Sequence, residues 1–187
     1  MKYLQRRAAI ETLPFPAQVA FAARVGERAL AEVRSLRPEL IAAYPSLQQG
    51  VDLVWRQAIH QDVDFQRDAM AVHRVTSNLI PETVDDVVPD QALRYAGQAI
   101  SLGLVIIAVP QKSAKYAASA GGAMISLVGS VYENMDEVQD KERQWQDRAV
   151  ELLLAVPNQP ITRSMFDEIP EYERGPISES YKTGYEG

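Results

Sequence analysis

Eleven prolines divide the 187-residue chain into segments in which apolar residues recur every three or four positions. Proline ends an α-helix or occupies its first turn, because its nitrogen carries no hydrogen and its ring obstructs the preceding turn. A spacing of three and four positions places apolar side chains on one face of a helix. Residues 17–37 follow this spacing at Val19, Ala23, Leu30, Val33 and Leu36. The pattern predicts a series of amphipathic helices separated by prolines.

The predicted helices are residues 1–13, 17–37, 38–44, 46–58, 64–79, 90–109, 112–135, 135–156 and 162–168. Ser46 and Gln49 have the S-x-x-Q spacing of a capping box, and we expect Asp64, Asp90 and Asn134 to cap later helices. Residues 81–90 contain two prolines and four acids, which predicts a loop.

A buried parallel strand at residues 103–109 is the one alternative to helix, because this segment is rich in β-branched residues. No other segment offers it a pairing partner. We therefore predict a single all-α domain in residues 1–169, a bundle of about seven to nine helices, followed by an acidic, tyrosine-containing tail in residues 170–187. Glycine and alanine concentrate in the two helices after residue 90, which predicts a tightly packed central helix pair.

Composition excludes several classes of protein. The chain has no cysteine, which removes disulfide scaffolds, thiolate nucleophiles and iron–sulfur clusters. Its formal charge of −6 argues against a general nucleic-acid-binding surface. The longest apolar run, residues 99–109, is too short for the roughly 20 residues of a membrane span. We expect a soluble, cytoplasmic protein with a buried central helix and no membrane partner.

Catalytic and cofactor patterns are weak. His60 and His73 are the two histidines, and their spacing to Asp62 and Asp64 matches no metal-binding pattern. The adjacent acids at 85–86 lie in the predicted loop, with no sign of the burial that tunes a catalytic carboxylate. Gly121 and Gly122 lack the flanking residues of a phosphate-binding loop. We predict neither enzymatic activity, nor a cofactor, nor a metal site.

Charge is unevenly distributed along the chain. Residues 1–132 hold 13 basic and 12 acidic residues, whereas residues 133–187 hold 6 basic and 13 acidic residues. Acids at the start of a helix favour its positive end, and acids in a tail keep it solvated. An acidic surface can also attract a basic partner. On this second interpretation, the partner-binding residues are Asp136, Glu137, Asp140, Glu171, Tyr172, Glu173, Tyr181 and Tyr185.

With its helices in this order, the chain resembles the all-helical bacterial domain-of-unknown-function family 416 and the related all-helical immunity proteins of polymorphic toxin systems. The resemblance covers most of residues 15–157. It is carried by AARVGER at 22–28, VDLVW at 51–55, KERQW at 141–145 and ELLL at 151–154.

The resemblance implies a non-enzymatic immunity protein that binds a cognate toxin and blocks its active site. A toxin that acts on nucleic acid or nucleotides would be basic, so an acidic helical surface would complement it. Two alternatives stay open: a self-associating helical protein that forms a homodimer, and a helical domain that binds a small molecule. The sequence also leaves open whether the acidic tail, residues 170–187, packs on the chain's own body or on a partner.

Overall fold

The computed structural model describes residues 1–60, 65–78, 91–157 and 159–183. It confirms the all-α fold. The helices are α1 (Tyr3–Glu11), α2 (Phe15–Leu36), α3 (Pro38–Ala43), α4 (Ser46–Ile59), α5 (Gln66–Ser77), α6 (Gln91–Ala108), α7 (Ser113–Val131), α8 (Met135–Ala155) and α9 (Glu179–Thr183). Short 3₁₀ turns occupy Pro110–Lys112 and Arg163–Glu168. Residues 103–108 are helical, so the strand alternative is wrong.

Helices α2, α6 and α7 form the centre of the bundle. The pair α6 and α7 makes the most extensive contact between any two helices, and α2 packs on both of them and on α4. Within the described ranges, α6 alone is long and apolar enough to cross a membrane, but 61% of it is buried inside the protein. It is a core helix, which is compatible with a soluble protein.

The central glycine- and alanine-rich helix pair is confirmed, and its small residues also let neighbouring helices approach it closely. An added Cβ at Gly103 of α6 would lie 3.2 Å from Val54 of α4, and one at Gly121 of α7 would lie 2.5 Å from Gln146 of α8. Gly122 faces open space. Glycine therefore lets α4 and α8 approach the central pair.

Two features of the helix ends differ in detail from expectation. The predicted capping box at Ser46 is wrong: Pro45 is the N-cap of α4, its carbonyl accepts the Gln49 amide at 3.1 Å, and no side chain caps the helix. Pro45 has helical backbone angles, with a φ of −62° and a ψ of −19°, so the helix starts one position early. Asn134 does precede α8, but its side chain makes no capping hydrogen bond. Asp64 and Asp90 lie outside the described residues.

Phe166 anchors the segment that follows α8. It is fully buried and lies between two tryptophans, 6.0 Å from Trp55 of α4 and 6.5 Å from Trp145 of α8, measured between ring centroids. Aromatic pairs at these separations contribute stabilisation beyond the area that they bury. The 3₁₀ turn is thereby fixed on the bundle, and it directs the following residues across α2 and α8.

Candidate functional site: a charged cleft and an acidic face

The C-terminal segment, defined here as residues 170–183, packs on the chain's own helical body. Its backbone pairs with the connection between α7 and α8: Ser178 N donates to Val131 O at 2.8 Å, and Glu133 N donates to Pro176 O at 3.1 Å. Gly175 has a φ of 82°, in the region that favours glycine, and turns the chain into this pairing. Tyr181 is buried, with 7% of its surface exposed. These contacts fix the position of the charged residues at 171–174.

Arg28 of α2 lies at the centre of a buried charged network. Only 4% of its surface is exposed, and Glu142 of α8, its partner at 2.9 Å, is completely buried. A second guanidinium nitrogen of Arg28 contacts both oxygens of Glu171 at 2.5 Å. The guanidinium also stacks on Trp145, 3.9 Å from the ring centroid. Burial alone would lower the pKa of Arg28, but the two carboxylates raise it above its ordinary value.

Glu142 is satisfied by neighbours from three directions. Its Oε2 accepts hydrogen bonds from Arg28 and from the Tyr172 hydroxyl at 2.7 Å, while its Oε1 accepts one from Gln146 Nε2 at 2.9 Å. Burial and the Glu142 carboxylate raise the pKa of Tyr172, because both disfavour a phenolate at this place. These donors offset the cost of burying the Glu142 carboxylate, which would be high if the carboxylate lacked them.

A second charged pair lies one helical turn along α2. Arg174 Nε is 2.5 Å from Glu32 Oε2, and the Tyr132 hydroxyl donates to the other carboxylate oxygen of Glu32. Glu32 is 3% exposed. Burial would lower the pKa of Arg174, but Glu32 raises it above its ordinary value. Burial and the hydrogen bond to Glu32 likewise raise the pKa of Tyr132. The C-terminal segment is therefore held on α2 at two successive points.

These groups surround an open cleft of about 370 Å³, named here the arginine cleft. Arg24 also lines it: one guanidinium nitrogen pairs with Glu27 at 2.8 Å and another lies 3.9 Å from Glu171. The charged lining consists of Arg24, Glu27, Arg28, Glu32, Glu171 and Arg174. The cleft therefore brings three guanidinium groups and three carboxylates together in one depression.

The acidic face, defined as Asp136, Glu137, Asp140 and Glu173, lies on the outside of α8 and the C-terminal segment. All four residues are exposed. Glu137 pairs with Lys141 at 2.7 Å, and Asp140 pairs with Arg143 at 2.5 Å. Lys141 Nζ also lies 3.4 Å from the Glu173 carbonyl oxygen, which brings the C-terminal segment beside α8.

The eight predicted partner-binding residues are thus separated in space. The four of the acidic face point outward. Glu171 and Tyr172 contact Arg28 and Glu142, and Tyr181 is buried in the core. Tyr185 lies outside the described residues. The residues predicted from the sequence did not include Arg28, Glu32, Glu142 and Arg174. A local signal exists in α2, where Arg24, Arg28 and Glu32 follow an i, i+4 spacing among mostly apolar residues.

The two histidines, His60 and His73, do not share a site. His60 follows the end of α4, and His73 Nδ1 lies 2.8 Å from the Ser101 hydroxyl of α6. Asp62, Asp64 and the acidic pair Asp85–Asp86 lie outside the described residues. No group of three or more histidine, aspartate or glutamate side chains that could hold a metal ion occurs within residues 1–60, 65–78, 91–157 and 159–183.

Comparisons with protein-family models, with curated proteins and with solved structures found no match for this chain.

Proposed function

We propose that the protein is a non-enzymatic, cytoplasmic binding module whose acidic face binds a basic protein. The observation that carries this proposal is the meeting of two acidic segments at Lys141, whose Nζ is 2.7 Å from the Glu137 carboxylate of α8 and 3.4 Å from the backbone carbonyl oxygen of Glu173 in the C-terminal segment. Complementary charge on two protein surfaces accelerates association and disfavours wrong partners.

The helix start alone does not account for this surface. Acids in the first turn stabilise a helix through its dipole, and this explains Asp136 and Glu137. Asp140 lies beyond the first turn, and Glu173 belongs to a different segment. Glu133 and Glu179 extend the surface toward Lys182, whose pKa is raised by both of them. This surface therefore carries six carboxylates and three basic side chains, Lys141, Arg143 and Lys182, which leaves an excess of negative charge.

The resemblance to immunity proteins identifies the partner to test first, a cognate toxin with a basic active site. The gene upstream of this one would be expressed with it, and both growth rescue and co-purification of the two proteins would be measured. The proposal expects a stable complex that restores growth. A neighbouring product that is harmless and does not bind would contradict the toxin assignment. Sedimentation would then test self-association, and ligand-dependent melting would test small-molecule binding.

Charge reversal then tests the surface itself. In the complex, Asp136→Lys, Glu137→Lys and Asp140→Lys together should slow association by about tenfold or more and weaken its dependence on salt. A matched control reverses three exposed acids elsewhere: Glu11 of α1, Glu39 of α3 and Glu151 near the end of α8. Equal association rates for the two triple variants would overturn the assignment of the acidic face.

A further inference from the structure

The arginine cleft already holds a carboxylate, that of Glu171. This carboxylate contacts Arg28 at 2.5 Å and has Arg24 and Arg174 as further neighbours, each at 3.9 Å. One guanidinium nitrogen of Arg28 reaches both oxygens of this carboxylate, and charge-assisted hydrogen bonds of this kind are among the strong ones. The cleft is thus built to receive this chemical group, and its present occupant comes from the same chain.

The two sides of this contact differ in accessibility. The Glu171 side chain is 52% exposed, whereas the Arg28 side chain is 3% exposed. Rotation of Glu171 into solvent would leave Arg28 in place with its buried partner Glu142. An acid from solution could then take the vacated position without any rearrangement of the buried network.

The C-terminal segment has contacts other than that of Glu171 that hold its position. Tyr172 remains bonded to Glu142, Arg174 remains paired with Glu32, and the backbone remains paired with Val131 and Glu133. An external carboxylate can therefore replace that of Glu171 while the rest of the C-terminal segment keeps its contacts.

Two buried donors in this cluster also lack partners. Within the described part of the chain, the Nε atoms of Arg24 and Arg28 are buried and make no hydrogen bond. Buried donors of this kind are uncommon in native proteins and are costly when left unpaired. An external carboxylate, which is free of the Glu171 backbone, has more freedom to approach these donors than the tethered side chain has.

We propose that the arginine cleft is a binding site for a small organic monocarboxylate, which displaces the side chain of Glu171. Without Glu171, the three arginines are balanced by Glu27, Glu32 and Glu142, so a single negative charge restores the present charge state. Ala31 and the Tyr132 ring line the cleft and provide contact for an apolar body of the acid. The site is separate from the acidic face, and its test does not depend on the proposed function.

Butyrate is the probe, and butyramide is its uncharged control of the same shape. Binding by the full chain would be followed through tryptophan fluorescence, because Trp145 stacks on Arg28, and through the arginine Nε–H signals in NMR spectra. All titrations would be made at constant ionic strength, with chloride as the balancing anion. Inorganic phosphate would be titrated separately as a second anion.

Four proteins are compared: the wild type, Glu171→Gln, Glu171→Gln with Arg24→Gln, and the matched control Glu173→Gln. Glu173 lies two residues away on the acidic face, so its neutralisation changes the net charge equally. A tethered competitor acts at a high effective concentration, so Glu171→Gln should bind butyrate about tenfold or more tighter than the wild type. Glu173→Gln should match the wild type, and the Arg24 substitution should abolish the gain.

Equal butyrate affinity in the wild type and Glu171→Gln would overturn the proposal, as would equal binding of butyramide or tighter binding of phosphate. Circular dichroism would establish that each variant is folded. If Glu171→Gln does not fold, Glu171→Asp serves instead, because it keeps the charge but withdraws the carboxylate from Arg28 by one methylene group. It should bind butyrate tighter than the wild type, and unchanged affinity would again overturn the proposal.

Discussion

The Tyr172 hydroxyl donates a 2.7 Å hydrogen bond to Glu142 Oε2, the same carboxylate oxygen that pairs with Arg28 at 2.9 Å. Glu142 is completely buried on α8, whereas Tyr172 belongs to the C-terminal segment, 30 residues later in the chain. The C-terminal segment thus supplies one of the hydrogen bonds that the buried Glu142 carboxylate accepts. Its position is coupled to the stability of the core, which a freely solvated tail would not be.

This coupling predicts that Tyr172→Phe destabilises the whole protein. Hydrogen bonds to charged groups contribute about 1.5–3 kcal/mol, and we expect a loss of this size in the free energy of unfolding. Urea denaturation followed by circular dichroism would measure it. Tyr3→Phe is the control, because Tyr3 is exposed and its hydroxyl makes only a 3.5 Å contact with Ser119. Equal, small effects of both substitutions would show that the Tyr172 contact does not hold the segment.

The buried pair of Arg28 and Glu142 predicts strong energetic coupling. Removal of one partner from a buried ion pair leaves an uncompensated charge and costs about 3–5 kcal/mol, whereas removal of both costs much less. We expect a loss of this order for Arg28→Met, a smaller loss for Glu142→Gln because Arg28 keeps Glu171 as a partner, and a loss in the double variant that is smaller than their sum. A double-mutant cycle from urea denaturation would measure the coupling.

An exposed pair supplies the comparison for this cycle. Arg7 and Glu11 of α1 form a contact of 3.1 Å at the surface, where ion pairs contribute about 0–1 kcal/mol. Arg7→Met should therefore have little effect on stability. Strict additivity of the Arg28 and Glu142 substitutions would contradict the expected coupling.

The helical fold could be predicted from the sequence because its signals are local. The spacing of Val19, Ala23, Leu30 and Val33 defines the buried face of α2, and Pro38 opens the next helix. Such periodicity depends only on neighbouring residues. The same local signals predicted the order of the helices through α8.

The charged cleft could not be predicted, because its pairs join residues far apart in sequence. Arg28 meets Glu142 and Glu171 across 114 and 143 positions, respectively. By composition alone, charged residues on a helix and in a Glu/Tyr-rich tail are typical of solvated surface. Their burial follows from the position of Phe166 and from backbone pairing at Val131, which no spacing rule indicates.

The two adjacent glycines of α7 provide a matched pair of substitutions. An added Cβ at Gly121 would lie 2.5 Å from Gln146 Oε1, and Gln146 is fully buried with hydrogen bonds to the Gly121 carbonyl and to Glu142. Gly121→Ala should therefore destabilise the protein by about 1–3 kcal/mol. A Cβ added at Gly122 would lie in open space, so Gly122→Ala should stabilise the protein by about 0.5–1 kcal/mol through its higher helix propensity. Thermal melting would compare the two, and shifts in the same direction would contradict the packing described at Gly121.

His73 predicts how stability changes between neutral and mildly acidic pH. Burial lowers the pKa of His73 below its ordinary value of 6.5, because the imidazolium form loses hydration against α6. Between the two pKa values, His73 binds a proton in the unfolded chain but remains neutral in the native protein. The contribution to stability is present above pH 6.5 and is lost as the pH falls through the lower, folded-state pKa.

Urea denaturation at a series of pH values between about 7.5 and 5.5 would measure this loss. His73→Gln should flatten the decline in unfolding free energy, because glutamine does not titrate and can still bond to Ser101. His60→Gln serves as the control, since His60 is exposed at the end of α4. A decline of equal steepness in the wild type and in His73→Gln would mean that the half-buried imidazole does not set the acid sensitivity of the helix pair α5 and α6.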